Sequence, residues 1–130
     1  MGEGVPGSPE VPAAQASLLR SMYEVFGTDE RDAFVPSCLA ADVDWPNVLA
    51  GARLHGRDEV RAYWARQFAT GHPLVHLEGL RLDEDGERVV ATVRQGLRDR
   101  AGDQWAEGTV EHVYRFGGDG LVSRMDVRQP

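Results

Sequence analysis

Two side chains near the C-terminal end of the sequence have the chemistry of a proton-transfer pair. His112 alternates with Val110 and Tyr114 at strand spacing, so it shares a face with apolar residues. Histidine titrates near neutral pH, and a carboxylate such as Asp126 can orient it or act as a base itself. The pair predicts acid/base catalysis, with Asp126 as base and His112 as donor or orienting group. A core histidine with a satisfied hydrogen bond and a solvated edge carboxylate are the open alternatives.

Aromatic and amide side chains upstream supply a possible ligand surface. Trp45 lies beside the Pro46-Asn47 turn and is the better pocket candidate, whereas Trp64 on a helical apolar stripe is more typical of a core. Asn47 or Gln95 could position a substrate through hydrogen bonds. The predicted substrate-binding residues are Trp45, Asn47, Tyr23, Met22, Trp64, Gln95, Tyr114 and Met125.

The elements that must position these residues fall into two halves. Helical spacing predicts a first helix over about 12–26, a short second helix that Thr28 or Asp29 can cap and that Pro36 bends or ends, and a third that ends near Gly71. A short strand over 42–45 and a loop up to Gly56 separate the second and third helices. Period-two patterns between Gly- and Asp-rich turns then predict long strands over 74–82, 88–98, 104–116 and 121–127. The order predicts an α+β fold, a mostly antiparallel, curved sheet with three N-terminal helices on one face.

Strand alternation predicts which side chains face the helices. On the third long strand the inward set contains His112 and Tyr114, and on the second it is the set that contains Gln95. On the last strand Met125 and Asp126 point to opposite faces, and a bulge would exchange the two sets. Periodicity alone leaves open which of these two residues faces the pocket.

Composition excludes several classes of function. The length of 130 residues suits one domain, here 12–130 after a flexible tail over 1–11. The net charge of -7 argues against nucleic acid and anionic membranes as partners, and no apolar run reaches the ~18 residues of a membrane helix. The start lacks the pattern of a secretory signal, which predicts a cytoplasmic protein. Cys38 is the single cysteine, and no motif asks for a metal or a cofactor, so neither is expected.

Two segments resemble the nuclear transport factor 2-like superfamily, and within it the SnoaL-like group of polyketide cyclases. They are "DVDWPNVLAGARLHGRDEVRAYWARQF" over 42–68 and "EHVYRFGGDGLVSRMDV" over 111–127. The resemblance covers about residues 13–128. It implies a cone-shaped barrel in which the sheet curls around the helices and encloses an apolar pocket with the Trp45 turn at its rim. It also implies a homodimer formed through the outer face of the sheet, with Thr109, Val113 and Val90.

The resemblance implies different chemistry for different relatives. In the polyketide cyclases an Asp on the last strand acts with a His on the preceding strand, and Asp126 and His112 occupy similar places. Ketosteroid isomerases have a Tyr, an Asp and a carboxylic acid where this chain has Ser21, Trp45 and His112. Limonene epoxide hydrolases share Asn47 and Arg94 with this chain but differ where it has Trp45 and Gly96.

The resemblance therefore predicts a cofactor-independent cyclase or isomerase that acts by acid/base chemistry on a small hydrophobic carbonyl compound such as a polyketide. A non-catalytic small-molecule binding protein of the same fold is the alternative from another class, and epoxide hydrolysis or hydration is a lesser one. All fourteen basic residues are arginine, which is typical of a GC-rich bacterial genome.

Overall fold

The computed structural model describes residues 10–48, 50–98 and 104–130, with side chains at 104–106 left out of the description. Residues 1–9 of the predicted tail over 1–11, and the predicted turn at 99–103, lie outside the described residues. The elements are α1 (Ala13–Phe26), α2 (Arg31–Cys38), β1 (Leu39–Asn47), β2 (Ala52–His55), α3 (Arg57–Thr70), β3 (His72–Leu82), β4 (Val89–Arg98), β5 (Gln104–Phe116) and β6 (Val122–Arg128). No helix in these ranges is long and apolar enough to cross a membrane.

The first helix presents one apolar stripe to the sheet. Pro12 precedes it with a φ of -53°, and Gly27 follows its last turn. Residues three apart lie on one side of a helix, and the buried ones here are Ala16, Leu19 and Met22. Tyr23 lies next to this stripe, so α1 directs it toward the sheet.

The third helix covers the other part of the same sheet face. Gly56 precedes it with a φ of 90°, a left-handed conformation that favours glycine. Asp58 and Glu59 occupy the first turn, where the helix dipole stabilises negative charge. Its buried stripe is Val60, Tyr63 and Trp64.

The six strands form one sheet in the order β2-β1-β6-β5-β4-β3. Every pairing is antiparallel except that of β1 with β6, which is parallel. The sheet is curved and remains open, with β2 and β3 at its edges. The predicted α+β architecture, three helices on one face of a mostly antiparallel sheet, is confirmed, although the barrel does not close.

The register of β5 fixes which residues face the helices. Directly opposed residues in antiparallel strands project to the same side. His112 pairs with Ala91 and Val127, and Tyr114 pairs with Val89 and Met125. These side chains all belong to the buried core or pack against it, except His112 itself. The predicted inward set on β5 is therefore correct.

The neighbouring strands follow the same register with one irregularity. On β4 the inward set is the one predicted, with Val89, Ala91 and Val93 fully buried. The pairing of β5 with β6 shifts in register beside Phe116. Val122 and Met125 are three residues apart, a spacing that in a regular strand would place them on opposite faces, but here both lie in the core. The predicted possibility of a bulge on this strand is thus realised.

Three local predictions were wrong. The predicted loop before Gly56 contains the edge strand β2, in which Leu54 pairs with Trp45. β1 begins at Leu39, three residues before the predicted strand, and continues through Pro46. α2 begins at Arg31 and has Glu30 as its N-cap residue, not Thr28 or Asp29, and it continues past Pro36 to Cys38. Short elements give too few residues for periodicity to identify them.

The outer face of the sheet carries a network of ion pairs. Arg53 contacts Asp44 at 2.7 Å and Asp126 at 3.2 Å, and Arg124 contacts the same two carboxylates at 2.8 and 2.9 Å. Farther along, Glu111 contacts two arginines, Arg81 and Arg128, each at 2.9 Å. The valines predicted for a dimer face, Val90 and Val113, are buried within the chain on this side.

Candidate functional site

A hydrogen-bond chain of three side chains connects α1 with β5. The Tyr23 hydroxyl is 2.7 Å from Nδ1 of His112 and 2.5 Å from the Tyr114 hydroxyl. His112 and Tyr114 are two residues apart on β5, so strand alternation points both toward the helix. Helix packing supplies Tyr23 from the opposite side. Residues remote in sequence thus form one polar group within an apolar core.

Ring contacts hold this chain in place. The Tyr23 and His112 rings are stacked, with centroids 6.0 Å apart and an interplanar angle of 14°. Tyr114 meets both rings edge-on, at 6.4 Å from Tyr23 and 6.3 Å from His112. The contacts restrict the rotation of all three side chains.

Burial keeps each member of the chain uncharged at neutral pH. His112 is 9% exposed, and desolvation lowers its pKa to about 4. Burial raises the pKa of Tyr23 and of Tyr114, each of whose hydroxyls therefore retains its proton. The site offers neutral hydrogen-bonding groups, of which His112 and Tyr114 are buried and Tyr23 is half-buried.

Most of the predicted ligand-binding residues belong to the packed core. Trp45 meets Trp64 edge-on at 5.7 Å and also contacts the Tyr114 ring at 6.3 Å. Met22 and Met125 are buried in the same cluster. The prediction that Trp45 lies at the rim of an open hollow was wrong, because these side chains pack against one another where the hollow was expected.

Asp126 does not lie with His112. It pairs with Val113 across β5 and β6, whereas His112 pairs with Val127, so the two side chains project to opposite faces of the sheet. The neighbouring Arg124 guanidinium lowers the pKa of Asp126 by hydrogen bonding, which favours the ionised carboxylate. The expectation that Asp126 orients His112 is therefore corrected: the carboxylate belongs to the outer ion-pair network.

The two predicted amides also lie apart from the chain. Asn47 accepts a hydrogen bond from the backbone of Ala50 at 3.2 Å, a role typical of asparagine in turns. Gln95 is exposed and lines an open depression together with residues 74–76, Arg94, Gly96 and Glu107. Neither side chain contacts the Tyr23 group in the described part of the structure.

An open cleft of about 340 Å³ lies between α1 and β3. Its walls are Arg20, Tyr23 and Glu24 from the helix and residues 75–80 from the strand. Tyr23 therefore contributes both to this cleft and to the buried hydrogen-bond chain. Of the predicted site residues, Tyr23 is the one that reaches the cleft.

The β3 wall was missed from the sequence. Val75 and Leu77 alternate as inward residues of a strand, a signal that periodicity does contain. Gly79 stands beside a register shift, and a Cβ at this position would meet no atom within 4 Å. Nothing in the sequence indicated that α1 would stop short of covering this strand.

No group of three or more His, Cys, Asp or Glu residues in the described ranges is placed to hold a metal ion. Cys38 is buried, and desolvation raises its pKa to about 12, so the thiol stays protonated.

Three helices on one face of a curved, mixed sheet define the nuclear transport factor 2-like class of fold. Within that class, the chain belongs to the SnoaL-like domain family, which matches residues 19–125. The resemblance identified from the sequence is thereby confirmed. No functionally curated protein matches the sequence.

Solved structures with the same fold are distant in sequence. An NTF2-like protein of unknown function from Burkholderia pseudomallei is 23% identical over 92% of each chain, with a TM-score of 0.74. A Mycobacterium tuberculosis protein in complex with estradiol-17beta-hemisuccinate is 16% identical over 89% of this chain and 93% of its own, also with a TM-score of 0.74. The Δ5-3-ketosteroid isomerase of a Mycobacterium species is 11% identical over 92% and 95% of the two chains, again at 0.74. At sequence identities this low, the similarity shows a shared fold and does not extend to a shared activity or ligand.

Proposed function

We propose that the protein binds a small, mainly apolar, oxygen-containing molecule in the α1–β3 cleft, with the Tyr23–His112–Tyr114 group as its polar anchor. The observation that carries this proposal is that Tyr23 belongs to two features at once. Its side chain lies on the wall of the cleft, and its hydroxyl contacts both His112 and Tyr114 in the hydrogen-bond chain. A ligand in the cleft would therefore contact Tyr23, the member of this group that lies on the cleft wall.

The dimensions and lining of the cleft support a small apolar ligand. Its volume of about 340 Å³ falls within the range of ~300–1,000 Å³ typical of small-molecule sites. Val75, Leu77 and Leu80 give it apolar walls, whereas Arg20 and Glu24 place charge at the exposed side. The estradiol-17beta-hemisuccinate complex of the M. tuberculosis neighbour supports the same class of ligand, an apolar ring system with oxygen substituents.

The test is calorimetric titration with estradiol-17beta-hemisuccinate and with the smaller ketone 2-tetralone. Gly79→Trp should fill the cleft without a clash, because a Cβ at Gly79 meets open space. Gly108→Trp is the matched control, since Gly108 also has open space around its Cβ but lies on β5 away from the cleft.

The expected result is binding by the natural protein and by Gly108→Trp, with at least tenfold weaker binding by Gly79→Trp. Equal binding by both variants would place the ligand elsewhere. If neither probe binds to the natural protein, small-molecule binding of this class is contradicted.

Acid/base catalysis on a carbonyl compound is a second candidate, and the neutral state of the buried donors favours it. Uncharged hydrogen-bond donors in a dry site stabilise the negative charge that develops on a carbonyl oxygen when an adjacent proton leaves. This candidate retains the predicted cyclase or isomerase chemistry, with His112 as donor to the carbonyl oxygen and solvent water, in place of Asp126, as the acceptor of the α-proton.

Exchange of the α-protons of 2-tetralone in D₂O, followed by NMR, tests this second candidate. Groups of this kind typically contribute ~10²- to 10⁴-fold, so His112→Gln should abolish any exchange above the buffer rate. Asp126→Asn should leave that exchange unchanged. An enhanced rate that vanishes in Asp126→Asn would restore the carboxylate to the mechanism, and a rate equal to that of buffer would leave binding alone as the function.

A further inference from the structure

β3 lies at an edge of the sheet, so one of its two sides has no neighbouring strand within the described ranges. The α1–β3 cleft is lined by every residue from 75 to 80, including His76 and Glu78, which alternate with the inward-facing Val75 and Leu77. A cavity confined to the inner face of a strand would meet alternate residues only. The cleft therefore reaches the free side of β3, where a ligand can contact backbone groups.

The hydrogen bond that closes the β3–β4 hairpin indicates which backbone groups point to this free side. The N–H of Asp83 donates to the carbonyl of Arg88 at 2.8 Å, and these two residues follow the pair Leu82–Val89 in register. In antiparallel strands, opposed pairs that exchange hydrogen bonds alternate with pairs whose N–H and C=O groups point away from each other. Leu82 and Leu80 therefore direct their N–H and C=O groups away from β4.

The same orientation continues beyond the register shift of β3, because β4 itself is regular there in its pairing with β5. Val93 and Gln95 lie two and four residues after the β4 partner of Leu80, so their backbone groups also point away from β3. Their own partners are Leu77 and Val75, which therefore direct N–H and C=O to the free side. No described residue hydrogen-bonds to the backbone of Val75, Leu77 or Leu80 on this side.

We infer that the ligand of the cleft is a small neutral amide, such as a lactam, that pairs with the free N–H and C=O of Val75, Leu77 or Leu80. This inference rests on the function proposed above and names the chemical class of its ligand. Each of the three residues offers one donor and one acceptor on the same side, and a lactam brings the complementary acceptor and donor. The side chains of the same residues face inward, so the ligand meets apolar groups and free backbone together.

The shape of the edge favours a small amide over another strand. A partner strand needs a long regular edge, and bulges and charged side chains interrupt such edges. The register of β3 shifts between Leu77 and Gly79, and the residue between them is the exposed Glu78. A lactam needs the backbone of one residue only, and the cleft of about 340 Å³ has room for it.

Amide hydrogen exchange of the full-length protein, followed by NMR, tests the backbone orientation without a ligand. We expect the N–H groups of Val75, Leu77 and Leu80 to exchange about tenfold or more faster than those of His76 and Arg81, which point to β4. Protection of the first three amides in the free protein would show that a second copy or another segment already covers the edge. That result would overturn the inference.

Three bicyclic probes of one shape test the ligand class by calorimetric titration. They are the lactam hydrocarbostyril, the ketone 2-tetralone and the lactone dihydrocoumarin, in which the group beside the carbonyl is N–H, CH₂ or O. We expect the lactam to bind about threefold or more tighter than the ketone, because it makes one additional hydrogen bond. The lactone should bind most weakly, since its ring oxygen would face a backbone carbonyl.

The location of the lactam is tested by repeating the exchange measurement with the lactam at saturation. Exchange of at least one of the amides of Val75, Leu77 and Leu80 should slow by about threefold or more. Unchanged exchange at all three, with the lactam bound, would place it away from the edge and overturn the inference. Binding of the ketone as tight as that of the lactam would overturn the amide preference and leave the proposed function in place. If none of the three probes binds, the proposed function fails as well.

Discussion

The two faces of the sheet use neighbouring residues of the same strands for opposite kinds of interaction. On the helix side Tyr114 pairs with Met125 within an aromatic core, and one residue away on the outer side Val113 pairs with Asp126 among arginines. The inner polar groups are neutral and buried, whereas the outer ones are charged and partly solvated. Proximity along the chain therefore says little about which residues share a site, and strand register says a great deal.

The largest expected effect comes from the inner face. Trp64 packs edge-on against Trp45 and against Phe26 at 5.2 Å. Trp64→Ala should lower the free energy of unfolding by about 3–5 kcal/mol, because the contacts are lost and a cavity remains. Urea denaturation followed by circular dichroism measures this. Arg66→Ala, at an exposed position of the same helix, is the control and should change stability by less than about 0.5 kcal/mol.

A second difference between the faces is the pH at which each loses stability. Burial lowers the pKa of His112 from 6.5 to about 4, so the unfolded chain binds more protons than the folded one between these values. The free energy of unfolding should therefore fall by about 3 kcal/mol as the pH drops from 6.5 to 4, with no further loss from this group below pH 4. Urea midpoints across this range measure it.

His112→Gln should flatten the stability profile between pH 6.5 and 4. Tyr23 and Tyr114, the titratable groups in contact with His112, keep their protons throughout this range because burial raises the pKa of each. A natural protein whose stability does not change over this range would contradict a buried, neutral imidazole.

The smallest effect should come from the outer network. Asp126 is about one-third exposed and shares its arginines with Asp44, so Asp126→Asn should cost only about 0.2–1 kcal/mol. Its lowered pKa means that this contribution is present above the ordinary carboxyl pKa of about 4 and is lost as the pH falls below it. Comparison of the variant with the natural protein at pH 7 and pH 3, in low and high salt, measures it. If Asp126→Asn lowered the free energy of unfolding as much as Trp64→Ala, the ion pairs of the outer face would contribute as much to stability as the packing of the inner face.

Much of the fold could be predicted from sequence because long elements repeat their pattern many times. The alternation on β5 identified the face of His112 and Tyr114 correctly, and the stripe on α3 identified Trp64 as a core residue. The four-residue strand β2 was taken for a loop, since a segment of that length carries little periodic signal.

The site was harder to predict than the fold. His112 and Tyr23 were both selected, but the sequence could not show that α1 places the Tyr23 hydroxyl on the imidazole across 89 positions of the chain. The face of Asp126 stayed open at the level of sequence, because it depends on the register of β6, which a bulge can change. Residue type suggested the chemistry, and only register and helix packing decided which groups meet.

The parallel pairing of β1 with β6 affects the order in which the protein can be built. β6 lies between β1 and β5, so the hairpin of β1 and β2 has no neighbour in the rest of the sheet until residues 122–128 are available. During synthesis β1 and β2 emerge before β6. Until β6 has been made, the edge of β1 that pairs with it has no hydrogen-bonding partner. We expect the nascent chain to remain vulnerable to proteases and to association until β6 inserts.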